Sequence, residues 1–597
     1  MREYTVSNTT EVAPDDNLAR TLPRHAAERP NKVLLRRKVD GDWQPVTCKE
    51  FNAQVRSLAK GLVASGIEPG DRVALMAPTC YEWTLLDFAI FTAGGVTVPV
   101  YDSSSQSQIA WILSDSGAKL AFAKTADMAE AMRRACAEVP DVSKVWTFED
   151  GAVDAVTALG AEVGEDEIDR RIDSRTADSL ATLVYTSGTT GRPKGCQLTH
   201  RNLLSNARSA TDAELRPVIS SPDASTLLFL PLAHVFARII EVFCIERAVT
   251  FGHCEDMRGS LLPDLASYRP TFILAVPRVF EKVFNSASTK ATLDGKGKIF
   301  DKAADVARSY SMSLDTGGPG LGLKLQHAVF DRLVYGKLRS VMGGQVRYAV
   351  SGGGPLAPEL GHFFRGLGLI VLEGYGLTET SPVISVNGPD AVKIGTVGKP
   401  IGGTSVRIAD DGEILVKGPQ VFTGYWNNED ATAADFVDGW FQTGDLGSLD
   451  DEGYLRITGR KKEIIVTASG KNVSPSLLED RLRMHQVISQ CMVVGDNRPY
   501  IGVLVTLDAE ALPEWVKAQG KQPLSEAEAA DDPDVQRAVQ AAVDDANTLV
   551  SHAEAIKRFR IVAGDWTVDG GELTAKLSLK RRVVLEKVAD HVEQLYT

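Results

Sequence analysis

Thr182-Leu-Val-Tyr-Thr-Ser-Gly-Thr-Thr-Gly-Arg-Pro-Lys-Gly195 begins as an apolar run that reads as a strand and empties into a turn dense in hydroxyls and glycines, closed by Arg192 and Lys194. Glycines allow close backbone approach and positive φ, Ser and Thr hydroxyls and bared N–H groups donate hydrogen bonds, and a lysine adds a point charge. Such a turn can grip phosphate. The strand before it and the two cations after it favour that use over a plain surface loop. Lys194 is followed by Gly195 rather than Ser or Thr, so the loop lacks the metal-binding hydroxyl of a P-loop and a metal must be held elsewhere. No G-x-G-x-x-G follows a strand, and neither H-E-x-x-H nor G-x-S-x-G occurs, which weakens dinucleotide, zincin and serine-hydrolase readings together.

Outward from that turn, the chain runs to 597 residues with 44% hydrophobic and 24% charged, a globular composition long enough for more than one folding unit. The 78 Asp and Glu outnumber the 65 Lys and Arg, giving a formal charge of −13 that repels polyanions, so no nucleic-acid partner is expected and any anionic ligand must be met by a focused site. Seven scattered cysteines without a C-x-x-C suggest neither a disulfide framework nor a zinc site, and a reducing cytoplasm fits best. Residues 1–17 show no apolar signal core, and the most membrane-like stretch, Trp83 to Val100, is broken by Asp87, Gly94, Gly95 and Pro99, so no spanning helix is expected.

Phe51, Val55, Leu58 and Leu62 recur at helical spacing before the strand-like Arg72-Val-Ala-Leu-Met-Ala77, and Trp83 to Thr92 is helical before the β-branched Val96 to Val100. This alternation predicts an α/β fold: layered α/β subdomains on parallel strands. Glycines punctuate helical stretches over about 284–343, read as an insertion, and short strands separated by Asp-rich turns make a β-rich subdomain of about 405–458. The basic run after Gly459 marks the boundary between a large body, 1–460, and a smaller α/β lobe, 461–597. Its first helix is expected near Pro475, with Ser474 as N-cap.

Further segments carry chemistry. Gly352-Gly353-Gly354 follow a strand at Val346 to Val350, and Glu373-Gly374-Tyr375-Gly376-Leu-Thr378-Glu379 follow another at Leu369 to Leu372, so both turns could bring bare backbone to a flat ring. Tyr375 offers a stacking face and Glu379 a hard carboxylate oxygen suited to Mg²⁺. Trp440-Phe-Gln-Thr-Gly-Asp445 ends a β segment in a carboxylate able to accept both hydroxyls of a ribose, although a turn Asp is the commoner meaning of such a tripeptide. His234, in Leu230-Pro-Leu-Ala-His-Val-Phe-Ala-Arg238, could equally be a satisfied core histidine.

Tyr185 to Gly195 resembles the phosphate-loop signature of the AMP-forming adenylating enzymes, which include acyl-CoA synthetases, luciferases and peptide-synthetase adenylation domains, and the family's other motifs follow in order over nearly the whole chain. The resemblance implies ATP and AMP binding by Thr186, Ser187, Gly188, Thr189, Thr190 and Lys194, with the Gly352 to Gly354 segment lining the adenine pocket and Tyr375 stacking on the base. Glu373, Gly374 and Gly376 belong to the same pocket, Thr378 to the α-phosphate, Glu379 with Thr186 to Mg²⁺, and Asp445 with Arg460 to the ribose or phosphate. It implies a hinge at Lys462 and a catalytic lysine at Lys576. Ala575 replaces the family's usual glycine there, so Lys580 stays open as the alternative.

It also places His234 beside the reacting carboxylate and Arg238 where some members have a gate to the acyl tunnel. Together these imply a long-chain fatty acid–CoA ligase that uses ATP, Mg²⁺ and coenzyme A, sited in the cytoplasm or peripherally on the inner face of a membrane. The competing readings are a ligase that passes acyl-AMP to a carrier protein and a nucleotide-binding regulator without turnover. Chain length and oligomeric state stay open.

Overall fold

The computed structural model describes residues 1–137, 142–186, 192–257, 259–568, 570–574 and 579–597. Helix Cys48–Ala64 starts on a capping box in which Thr47 accepts from the Glu50 amide while Glu50 accepts from the Thr47 amide at 2.8 Å, and it buries Phe51, Val55, Leu58 and Leu62, the residues whose spacing predicted it. It leads into strand Arg72–Met76, which pairs in parallel with Val96–Val100 on one side and Ala118–Ala123 on the other. The connecting helix Tyr81–Thr92 is buried on every side, because it lies inside the body rather than on its surface.

Two large sheets make the body. One has the order Lys144–Thr147, Ala118–Ala123, Arg72–Met76, Val96–Val100, Leu180–Thr186, Lys194–Thr199. Its last two strands form an antiparallel hairpin, so the glycine- and hydroxyl-rich segment is the connection of that hairpin. The other sheet has nine strands. Its centre, Thr250–His253, Ser225–Leu228, Phe272–Ala275, Tyr348–Ser351 and Ile370–Gly376, is parallel, and antiparallel strands close both ends. Parallel strands covered by helices read as continuous apolar runs, as Val96–Val100 and Phe272–Ala275 do.

A third sheet joins Glu3–Thr5, Ser405–Ile408, Glu413–Lys417, Trp440–Leu449 and Phe436–Val437, with Leu455–Arg460 paired to Trp440–Leu449. Beyond Arg460, strands Ile488–Val494, Ile501–Leu507 and Ile556–Val562 pack helices Pro475–Arg483 and Pro533–Asn547 over a separate apolar cluster. Ser474 precedes the first of these helices, but its hydroxyl donates to the Thr458 carbonyl at 2.9 Å rather than capping. Helices Pro277–Leu293, Gly297–Leu314 and Leu321–Phe330, a π turn Asp331–Tyr335 and helix Gly336–Val341 fill the stretch read as a helical insertion.

Two segments differ from the sequence reading. Strand Ile370–Gly376 runs through Glu373, Gly374 and Tyr375 instead of ending at Leu372, because Val383–Val386 pairs with that half of it. Likewise Asp445 lies inside strand Trp440–Leu449 opposite Arg460, not at its end, because Leu455–Arg460 continues the pairing past the Thr-Gly-Asp tripeptide.

Candidate active site

In open α/β sheets ligands usually bind beyond the carboxyl ends of the parallel strands. Thr186 stands at the tip of its strand, in register with Lys194 across the hairpin. Ser187, Gly188, Thr189 and Thr190 lie outside the described residues. One pair in from that tip, the Tyr185 hydroxyl donates to Asp115 at 2.6 Å, and a Cβ at Gly195 would sit 3.1 Å from the tyrosine ring, so glycine is what lets the two strands close over that ring. The segment Phe422 to Trp426 is laid against the hairpin by the Trp426 amide, which donates to the Gly195 carbonyl at 2.8 Å, and by a bridge between Cys196 and Tyr425.

Tyr425 of that segment and Asp435, just after helix Glu429–Ala434, are two residues the motif reading missed. The Tyr425 hydroxyl lies 3.0 Å from Glu379 Oε1 and 2.9 Å from Asp435 Oδ2, and the Lys194 ammonium lies 4.2 Å from the centre of the same ring and 3.8 Å from Asp435. One hydroxyl proton faces two carboxylates. Burial pushes the Glu379 carboxyl above the ordinary carboxylate range, and the Asp435 charge adds to the rise, while Tyr425 and Lys194 oppose it. A hard cation at Glu379 would supply the charge this crowded acid lacks, so the donor chemistry fits Mg²⁺. Among the described residues, a different trio of potential metal ligands, Cys80, Glu82 and Glu255, clusters within 4.8 Å, but Lys124 already bridges its two carboxylates at 3.3 and 3.2 Å.

Four residues before Glu379, the Tyr375 hydroxyl donates to Asp445 Oδ2 at 2.7 Å, and Arg460 Nε donates to Asp445 Oδ1 at 3.2 Å. The chain thus fixes the Tyr375 ring and Arg460 through a single carboxylate, and a ribose diol would share it with them. Glycine is required around Tyr375: a Cβ on Gly376 would overlap the Pro382 carbonyl at 1.7 Å, and one on Gly374 would meet the Ser385 carbonyl at 3.2 Å. Gly352 faces the Phe236 ring, 2.9 Å from where its Cβ would be, and Gly353 holds φ +80°, so glycine is needed at both positions of this turn. Glu373 Oε1 accepts from the Leu356 amide at 3.2 Å, and burial pushes its carboxyl to about 8, with Asp480 of the smaller lobe adding to the rise. Thr378 and Glu379 share the 3₁₀ turn Thr378–Thr380.

His234 caps helix Val235–Arg247: its Nδ1 accepts from the Phe236 amide at 3.0 Å, which leaves the proton on Nε2 of a half-buried ring. Arg238, one turn on, is 1% exposed, and here the expectation of a gate is corrected. Its guanidinium binds both Asp87 oxygens at 3.0 and 2.5 Å and Thr182 Oγ1 at 2.6 Å, packed against Trp83 and Phe91. A charge so enclosed is fixed by its partner and cannot swing with substrate. Lys462 lies exposed in the turn Lys461–Glu463. Lys576 falls outside the described residues. Lys580 is half-buried at the start of helix Arg581–Lys587, its amide bound to the Glu572 carbonyl at 2.7 Å.

Residues 22–426 match the AMP-binding enzyme family, and residues 462–597 match the C-terminal domain of AMP-binding enzymes. The chain is 49% identical over 600 residues, covering all of both proteins, to the long-chain-fatty-acid–CoA ligase FadD15 of Mycobacterium bovis. It is 30% identical over 605 residues to the human long-chain-fatty-acid–CoA ligase ACSBG1, covering 94% of this chain and 83% of that protein. Among solved structures, the adenylation domain of a carboxylate reductase from Mycobacterium chelonae superposes with a TM-score of 0.74 at 22% identity, over 98% of this chain and 92% of that one. The O-succinylbenzoate coenzyme A synthetase of Bacillus subtilis, solved with AMP, gives 0.68 at 23% identity over 96% and 98%. These structural likenesses speak for the fold.

Proposed function

The chain belongs to the AMP-binding enzyme family, and from that membership we propose that it is a long-chain fatty acid–CoA ligase, activating its acid with ATP as acyl-AMP and passing the acyl group to coenzyme A. The observation that carries the chemistry is a pair of side-chain clusters joined by the short run Tyr375 to Glu379: Glu379 with Tyr425, Asp435 and Lys194, and Tyr375 with Asp445 and Arg460. The full-length likeness to FadD15 supplies the acid and the thiol.

A carboxylate oxygen is a poor leaving group, so the acid is first made into a mixed anhydride. The carboxylate attacks the α-phosphorus of ATP, the bond to the bridging oxygen breaks, and pyrophosphate departs. Negative charge gathers on the phosphoryl oxygens during that displacement, and preplaced donors and cations lower its cost. Lys194 and the hydroxyls of Thr186 to Thr190 serve the phosphates, with Lys576 at the reacting carboxylate. Glu379, helped by Thr186, would hold Mg²⁺, which when bound neutralises phosphate charge. Asp445, Arg460 and Tyr375 orient the nucleoside, and His234 lies beside the acid. In the second step the thiol sulfur attacks the acyl carbon, AMP leaves, and the thiol proton is released. Turning the smaller lobe, 461–597, about Lys462 would withdraw Lys576 and admit the thiol.

We place the enzyme in a reducing cytoplasm: the seven cysteines are free thiols, and no helix of the described residues is long and apolar enough to cross a membrane.

The test is acid-dependent exchange of labelled pyrophosphate into ATP, followed by CoA-dependent AMP release across acids of increasing length. Exchange and acyl-CoA formation with long acids are expected. Exchange without acyl-CoA would favour a carrier-protein acceptor, and no exchange at all would leave a binder. Lys576→Ala is expected to abolish exchange while sparing thioester formation from supplied acyl-AMP; exchange at the wild-type rate would move the role to Lys580.

A further inference from the structure

The helical insertion ends in a hairpin whose second arm, residues 321–341, is apolar on two opposite faces. Its inner face is anchored. His327 Nε2 donates to the Gly366 carbonyl at 2.6 Å and its ring stacks on Tyr310 at 3.9 Å, while Phe330, Val334 and Leu338 pack against the main core. Tyr335 is fully buried, and its hydroxyl donates to the Ala303 carbonyl at 2.7 Å.

The outer face carries Leu321, 86% exposed, Leu325, 70%, Leu333, 53%, and Val329, 49%. A spacing of four drifts by about 40° per step on an ideal helix; the wider π turn Asp331–Tyr335 offsets part of that drift and keeps Leu333 outward while Val334 stays in. Met312 and Leu314, at the end of the first arm, are also exposed. Scattered exposed leucines need no explanation, but a row of four on one helix does, and a helix apolar all round belongs inside something.

Charge selects the occupant. Residues 321–341 hold Lys324, Arg332, Lys337 and Arg339 against a single acid, Asp331, which is already paired with Arg339 at 2.7 Å. Lys324, Arg332 and Lys337 are exposed. This local excess of cations stands on a chain whose formal charge is −13. A symmetric pair of these chains would bring the same patch against itself, cation facing cation. An interface of anionic headgroups over acyl chains satisfies both features, taking the leucines into its apolar layer and the cations at its charged boundary.

We propose that this face, Leu321, Leu325, Val329 and Leu333 rimmed by Lys324, Arg332 and Lys337, docks the protein on an anionic lipid surface. The proposal rests on the fatty-acid reading in one respect: an acid of long chain resides in lipid, so a docked enzyme meets its substrate there.

The experiment is sedimentation of the full-length protein with vesicles, without substrate, comparing phosphatidylglycerol–phosphatidylcholine mixtures with phosphatidylcholine alone at low and high salt. Binding to the anionic vesicles that weakens with salt is expected. The double variant Leu321→Ser, Leu325→Ser alters only exposed side chains, and circular dichroism checks its fold. Its partitioning should fall by about tenfold or more, and Lys324→Gln with Arg332→Gln and Lys337→Gln should remove the salt-sensitive part. Equal partitioning of wild type and double variant overturns the proposal. So does a wild type that ignores vesicles and elutes as a larger species which the double variant breaks up, since the face would then bind a second copy. Acyl-CoA formation from detergent-dispersed acid is measured separately: its absence would sink the fatty-acid reading and leave the vesicle result standing.

Discussion

Tyr425 has one proton to give, and two acids within 3.0 Å to take it. Removing that hydroxyl in Tyr425→Phe leaves Glu379 less well oriented for a cation. We expect the Mg²⁺ needed for half-maximal pyrophosphate exchange to rise about tenfold, the usual scale for a lost partner of a metal ligand; an unchanged Mg²⁺ titration would show that Glu379 is aimed without it.

Glu373 sets a pH dependence. Its carboxyl titrates near 8 in the folded chain, against roughly 4.3 for an unperturbed glutamate. Between those values the folded state binds the extra proton, so its contribution is complete below the lower value and declines as pH rises through the upper one. Glu373→Gln stays neutral, so between about pH 6 and 8.5 its Tm should fall less than that of the wild type. Parallel melting curves would refute this.

Tyr375 and Glu379 were singled out as a ring and a carboxylate in a glycine-rich segment, whereas Asp445 and Arg460 were named through the family resemblance, since a Thr-Gly-Asp tripeptide alone reads as a turn. Tyr425 and Asp435 were not legible, since their roles arise only when a later segment is laid against the hairpin. Phe422-Thr-Gly-Tyr-Trp426, two aromatics directly after a glycine, was the signal available.

At the scale of elements, the Asp87–Arg238 pair joins helix Tyr81–Thr92 to helix Val235–Arg247, and Thr182 ties it to the strand that leads into the phosphate hairpin. Asp87→Ala would leave a guanidinium sealed among aromatic rings without its hydrogen-bonded counter-charge, the buried Glu241 carboxyl nearby being held towards its neutral form by burial. The expected loss is about 3–5 kcal/mol, read from denaturant unfolding; a loss near zero would mean that water or another acid reaches Arg238. The pair was invisible to motif reading because its members are 151 residues apart, and a family position suggested a gate where packing makes a post. Periodicity did predict the helices around 51–62 and 83–92 and the buried parallel strands. It misplaced the ends of Ile370–Gly376 and Trp440–Leu449, where cross-strand partners prolong pairing through glycine-rich segments that locally look like turns.

For the whole molecule, the smaller lobe meets the body through ion pairs, Arg278 with Asp508 at 3.5 Å, Lys282 with Glu510 at 2.9 Å and Arg481 with Glu359 at 2.7 Å, through the Gln486 amide donating to the Ser288 hydroxyl at 2.7 Å, and through Met484 packed on the body's core. Partly exposed pairs of this kind are worth about 0–1 kcal/mol each. The rotation proposed about Lys462 would exchange these contacts for others. Lys462→Pro would fix φ near −65° at that point, and we expect acyl-AMP formation to survive while thioester formation slows at least tenfold in single-turnover assays; equal slowing of both steps would place the hinge elsewhere. The division into a body and a lobe was read from the basic run that follows Gly459. The outward face of residues 321–341 was not legible, because a helix apolar on two sides reads in sequence as an ordinary core helix.

Strand Glu3–Thr5 completes the edge of the β-rich sheet by pairing with Ser405–Ile408, 400 residues further along. During translation at about 5–20 residues per second, the earlier strand waits roughly 20–80 s for its partner to emerge. Throughout that interval an unpaired backbone edge is open to other nascent chains. Growth at low temperature, which lengthens the wait, should therefore make this protein lean more heavily on ribosome-associated chaperones than its finished stability would suggest.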